Sequence, residues 1–206
     1  MIPRPIACLG ALALGFVLAG CAILNPGPQP KTRFFMLSAV EPGPAASQSA
    51  GSASAGVIGV GPVRIPEYLD RRTIVLRNSR NEFEVAEVSQ WAEPLGDTFA
   101  RVLADNLSVL LDTRRVTLFP WRPAMPIERQ VAVQVAQFDG MLGGAVVLRA
   151  HWQVLAGDGK RMLDSGYTAV AETAQDATID ALVSAQSRAA ERFSRDIAAA
   201  IARLPK

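Results

Sequence analysis

Two side-chain types in this chain are both rare and chemically capable: cysteine, at Cys8 and Cys21, and histidine, at His151 alone. A thiol serves as nucleophile, metal ligand or acylation site, and an imidazole as base or ligand. Spacing decides among these roles. One histidine and two distant cysteines make none of the common zinc ligand sets. A Ser-His-Asp arrangement would have to use His151, whose neighbours Arg149, Ala150 and Trp152 contain no nucleophile elbow. His151 therefore reads as a strand residue on the solvent side. Gly140-Met141-Leu142-Gly143-Gly144 lacks the lysine and the serine or threonine of a phosphate-cradling loop, and reads as a hairpin connection. Glu82, Glu84 and Glu87 read as solvated carboxylates on an exposed strand face. No catalytic residue, metal site or cofactor is nominated.

Cys21 differs from these because of what precedes it. Residues 1–5 carry one cation, Arg4, and no acid; Ile6 to Ala19 is almost purely apolar, and Leu18-Ala19-Gly20 supplies small residues directly before the thiol. A positive start, a short apolar run and a small-residue junction describe a secretory signal. The run is shorter than the roughly 20 residues that span a bilayer. Leu-Ala-Gly-Cys resembles the bacterial lipobox, in which the cysteine is lipidated and becomes the first mature residue. The alternative is an ordinary signal or anchor that happens to hold a cysteine. The lipobox reading makes residues 1–20 a removed signal and Cys21 the lipid attachment site. Several acyl chains, at about 0.8 kcal/mol per buried methylene, then hold the chain on a membrane without a spanning helix. Ala22 follows the cysteine where an aspartate would favour inner-membrane retention, so similarity to Gram-negative lipoproteins points to the outer membrane.

The rest follows by elimination. Cys8 lies in the signal and Cys21 is occupied, so no disulfide forms although the compartment permits one. The domain must fold on its apolar core. Half of the 206 residues are hydrophobic, which suits one globular domain. The formal net charge is only +2, Arg4 included, with no basic stripe of the kind nucleic-acid binding requires.

The elements that must carry any function are legible in outline. Residues 21–32 form a lipidated, Pro-rich tether through Pro26, Pro28 and Pro30, semi-stiff at about 3.1 Å per residue. The domain itself is expected over 33–206. Arg33–Leu37 reads as a first strand, residues 41–56 as a flexible loop, and Val57–Val60 as a strand; the stretch Gly61–Asp70 after it is an edge or a turn, because Pro62 and Pro66 forbid a central strand there. Ile74–Leu76 and Phe83–Val88 read as strands. Trp91, Leu95, Phe99, Val102, Leu103, Asn106, Leu107, Leu110 and Leu111 make one stripe of a helix over about 91–111. Its one polar member, Asn106, reads as a hydrogen-bonded boundary residue or one lying off to the flank. Val116–Phe119, Val131–Phe138, Val146–Leu155 and Met162–Glu172 read as strands. A second amphipathic helix spans about 178–204, capped by Asp176 or Thr178. Too few helices to alternate with the strands predict an α+β two-layer sandwich with a mostly antiparallel sheet.

With those residues laid out, the chain resembles the PqiC/YmbA family of ABC-type transport auxiliary lipoproteins. The resemblance rests on Phe34-Phe35-Met36-Leu37, the stretch Ile58 to Arg71 with its Pro66-Glu67-Tyr68-Leu69-Asp70, Trp91-Ala92-Glu93-Pro94-Leu95, Leu103 to Ser108, Phe119-Pro120-Trp121, the Val131–Asp139 strand, Leu148 to Trp152 and Ile197 to Pro205. Arg72 stands where many members have proline. The resemblance implies a non-enzymatic outer-membrane lipoprotein on the periplasmic face. It would act as auxiliary or docking subunit beside an MCE-type periplasm-spanning protein and an inner-membrane component in lipid transport. A homo-oligomer suits such docking, and no stoichiometry follows from sequence. The runner-up is a periplasmic lipid or small-molecule binder that carries cargo itself. Tyr68 and Leu69 are the candidate partner contacts if the Pro-rich stretch leaves them exposed; otherwise they pack under the sheet. Trp91 and Trp121 read as core.

If the acylated cysteine is the working chemical group, Cys21→Ser abolishes function and membrane association, and leaves the circular dichroism of the domain unchanged. Full complementation by a soluble periplasmic version overturns that account.

Overall fold

The computed structural model describes residues 30–43, 56–122 and 124–205. The expected signal 1–20, Cys21, Ala22, most of the Pro-rich tether and residues 44–55 of the loop lie outside the described residues. By its contacts the chain divides into residues 1–31 and 32–206, and the second unit is described here. In chain order it contains β1 (Arg33–Phe35), β2 (Val57–Arg64), β3 (Thr73–Arg77), β4 (Phe83–Trp91), α1 (Leu95–Leu110), β5 (Val116–Leu118), β6 (Ile127–Gly140), β7 (Ala145–Ala156), β8 (Met162–Thr173) and α2 (Ile179–Arg203). The strands form a three-stranded sheet, β1-β4-β3, and a five-stranded sheet, β5-β2-β6-β7-β8. One face of the larger sheet carries both helices, α1 over β2 and β5, α2 over β6 to β8. This is the expected α+β arrangement. The long ladders β6–β7–β8 are antiparallel. The sheets are nonetheless mixed, because β1–β4, β2–β5 and β2–β6 pair in parallel.

Period-two patterning explains which face is covered. On β7, Val146, Leu148, Ala150, Trp152 and Val154 are buried while Arg149, His151 and Gln153 are exposed. On β6 the pattern breaks: Val131, Val133 and Val135 face inward, and so does Phe138. A register shift between Val135 and Gln137 leaves Ala136 as the extra residue of a bulge. Such an insertion exchanges the two faces for everything that follows. Phe138 therefore meets the helices, and Asp139 turns to the other side.

Pro62 lies within β2, which runs on to Arg64 but past Val60 has lost its β5 neighbour and is an edge there, one of the two expected placements. The ladder tolerates proline there for two local reasons. β5 pairs only with Ile58 to Val60, so no partner remains on that edge. On the β6 side a register shift between Val60 and Val63 removes the need for an amide hydrogen.

The first helix also begins later than the stripe suggested. Trp91 ends β4, its amide donating to the Arg72 carbonyl at 2.6 Å, and helix geometry starts after Pro94 at the N-cap. Trp91 is fully in the core, as expected. For α2 the cap is Thr178, whose Oγ1 accepts the Ala181 amide at 3.2 Å. Asp180 and Arg203 sit at the helix ends that favour their charges. Phe99 of α1 contacts Phe138 and Phe193 with ring centroids 5.3 and 5.8 Å apart, joining both helices to the sheet.

Asn106 is wholly buried rather than at a boundary. Its Oδ1 accepts the Val40 amide at 2.8 Å, and its Nδ2 donates to Ser194 Oγ of α2 at 3.0 Å. One side chain thus ties α1, α2 and the segment after β1. Asn106→Ala leaves the half-buried Val40 amide without its acceptor and the buried Ser194 hydroxyl without its donor, a cost of about 2 kcal/mol. Urea unfolding should show that loss with an unchanged slope; a variant as stable as the parent removes Asn106 from this role.

Candidate functional site

The most connected polar group in the described residues is Asp139, which is 1% exposed. The bulge on β6 aims it at β3 and at the turn after β2. Arg77 of β3 donates through Nε to Oδ1 at 2.6 Å and through Nη2 to Oδ2 at 3.0 Å. The Tyr68 hydroxyl donates to Oδ2 at 2.6 Å, and Gln137 Nε2 to Oδ1 at 2.9 Å. Burial works against the Asp139 charge, but the bonds from Arg77, Tyr68 and Gln137 outweigh it and hold the carboxyl below its ordinary value. Burial, then the bond to Asp139, pushes the Tyr68 hydroxyl far above its ordinary value. Phe83 completes the cluster, with the Arg77 guanidinium 4.4 Å from its centroid and the Tyr68 ring 4.8 Å away. A carboxylate with four donors on two oxygens has no lone pair directed at a substrate. The cluster is a joint between the two sheets.

The other expected residues fall as follows. Leu69 is 2% exposed, which corrects its candidacy as a partner contact: it packs in the core beneath the segment it was meant to present. Tyr68 is half-buried, its hydroxyl engaged and its ring against Phe83. Trp121 is half-buried rather than core, its ring lying where a side chain on Gly59 would stand. His151 is exposed on β7 as expected and packs on Tyr167 with centroids 4.8 Å apart. Glu82, Glu84 and Glu87 are exposed. Among the described residues no three His, Cys, Asp or Glu side chains converge on a metal position, and no helix is long and apolar enough to cross a membrane. Sequence reasoning passed over Arg77 and Asp139. The available signal was the break in alternation at Val135-Ala136-Gln137-Phe138, which puts an acid on the face opposite to the one a regular strand would give it.

The linkage has a definite sign. Asp139 has its carboxyl depressed on folding, so its contribution is complete above the ordinary value of 3.8 and fades as pH falls below it. Asp139→Asn should cost about 3 kcal/mol at neutral pH, the low end for a broken buried pair because Arg77 keeps some contact with water. Denaturation curves of parent and variant should differ by a constant amount above pH 5 and converge in acid, the crossover lying below about pH 4. A difference that persists undiminished at low pH refutes the assignment.

Comparison with known proteins locates this architecture. The model of the family described as "ABC-type transport auxiliary lipoprotein component" matches residues 35–198. The intermembrane transport lipoprotein PqiC of Escherichia coli is 27% identical over 135 residues, 66% of this chain and 67% of that protein. The Shigella flexneri protein of the same name aligns equally. Among solved structures, an uncharacterised protein superposes with a TM-score of 0.67 at 21% identity, over 84% of this chain and 99% of its own. A Xanthomonas campestris protein superposes at 0.62 and 16% identity, over 81% and 92%. The structural likenesses speak for the fold alone. The match over nearly the whole folded unit speaks for descent: the chain belongs to the ABC-type transport auxiliary lipoprotein family.

Proposed function

We propose that the chain is an acylated lipoprotein on the periplasmic face of the outer membrane, serving as a non-enzymatic docking subunit of an MCE-type intermembrane lipid transport system that supports envelope integrity. The observation that carries this reading is the alignment with PqiC, an intermembrane transport lipoprotein, across two-thirds of both chains. Cys21 supplies the membrane attachment and Ala22 the outer-membrane address. Tyr68, backed by Leu69 and flanked by the exposed Phe83, is the candidate contact with the periplasm-spanning partner. Nucleic acid is not among the partners.

The adaptor reading is favoured over the cargo carrier by the packing between sheet and helices. Phe99, Phe138, Phe193, Leu148, Leu182 and Ile197, all at most 1% exposed, occupy the layer where an enclosed lipid chamber would have to lie.

The test is co-purification. Tagged full-length protein, solubilised from its own membranes in mild detergent, should bring down an MCE-type protein and an inner-membrane component. Recovery of the lipoprotein alone under several mild detergents sinks the docking role.

A further inference from the structure

The face of the five-stranded sheet turned away from the helices is unlike an ordinary solvated face. Strand register places Arg64 beside Gln134, Gln134 beside His151 and His151 beside Tyr167, one continuous row across β2, β6, β7 and β8. Around this row the surface forms a concavity of about 250 Å³ lined by Pro62, Arg64, Gln134, His151 and Gln153. None of the residues lining it is acidic. Arg149 lies two residues from His151 on the same face of β7. Neither Arg64 nor Arg149 is in an ion pair among the described residues. The nearby acid on this side of the sheet, Asp139, is already neutralised by Arg77.

Apolar surface adjoins this cationic hollow. Ile58 and Val60 of β2 face the core, so Gly59 between them and Gly61 after them face the opposite side of the sheet. A side chain on Gly59 would collide with the Trp121 ring at 2.8 Å, and one on Gly61 with Phe119 Cβ at 2.5 Å. Gly61 has φ +126°, which also favours glycine. The two glycines therefore let an edge-to-face aromatic pair, centroids 5.2 Å apart, lie on the sheet beside Pro62. Phe119 is 52% exposed there, and Tyr167, at the other end of the row, is 54% exposed.

We infer that this face binds an anionic phospholipid. The Arg64 and Arg149 guanidiniums fit a phosphate, which accepts paired bonds from such a fork. Gln134, Gln153 and His151 supply further donors. The Phe119–Trp121 pair takes the first part of the acyl chains, as aromatic side chains do where an apolar body meets a wet one. The choice of a lipid over another anion rests on the transport reading above. The site is open, so a lipid would be held by its headgroup and released without unfolding any core.

The single histidine makes the test direct, because one imidazole resonance reports the hollow. Full mature protein in neutral maltoside micelles is titrated with dihexanoyl phosphatidylglycerol, with dihexanoyl phosphatidylcholine and with inorganic phosphate, following the His151 ring proton by NMR. The expected result is a saturable shift with phosphatidylglycerol, and binding weaker by about tenfold for the other two. Arg64→Ala with Arg149→Ala should weaken phosphatidylglycerol by a similar factor and leave the thermal melt unchanged. Equal affinity for phosphatidylcholine overturns the charge assignment, equal affinity for inorganic phosphate overturns the lipid, and an unmoved resonance or an unaffected double variant overturns the site. A chain that fails here yet co-purifies with its MCE-type partner loses only this site. One that binds phosphatidylglycerol without any partner keeps the site and loses the docking role.

Discussion

A carboxylate withdrawn from water must recover its hydrogen bonds from the protein, and for Asp139 those donors come from three separate places in the chain. The desolvation of a single ion amounts to several kcal/mol, too much for a domain of ordinary stability to leave uncompensated. Arg77 must therefore approach from β3, Tyr68 from the turn after β2, and Gln137 from the same strand. Meeting that requirement sets where the three-stranded sheet lies against the five-stranded one. It also fixes the path of the Pro66–Asp70 turn, whose Leu69 is thereby driven into the core. The bulge at Ala136 is the local cause, since without it Asp139 would face the aromatic layer under the helices.

The two faces of the larger sheet then take different work. The covered face is apolar and close-packed, and supplies stability that no disulfide can lend within the described residues, which include no cysteine. The opposite face is split: at one end it carries the Asp139 joint to the smaller sheet, and elsewhere Arg64, Gln134, Arg149 and His151 are exposed to contacts made from outside.

Much of this was readable before any coordinates. Both helices declared themselves through stripes with a 3.6-residue period, because a single buried face dictates residue type, and β7 through its apolar run from Val146 to Leu155. What escaped notice were features set by long-range partners. Pro62 within β2 is permitted by the early end of β5 and by a register shift, neither of which is visible locally. Trp91 fits the helical stripe by spacing yet closes β4, since Pro94 delays the first helical turn. Asn106 looked marginal in its stripe because its partners, Val40 and Ser194, lie in segments distant along the chain. Arg77 and Asp139 could be paired only once the two sheets were in place. Cys21 is the reverse case: the expectation of a lipobox there rests on an entirely local motif, outside the described residues.

The attachment of β1 has a mechanical consequence. β1 lies parallel to β4, and the residues after it are pinned by the Ser38 amide to Ser187 and by the Val40 amide to Asn106. Arg33 at its start is pinned to Asp180 of α2 at 2.6 Å. Tension entering from the N-terminal side along this strand would load these bonds together, in shear, rather than peel them one at a time. The load would pass to α1 and α2 at once, so that the domain resists being pulled as a single body.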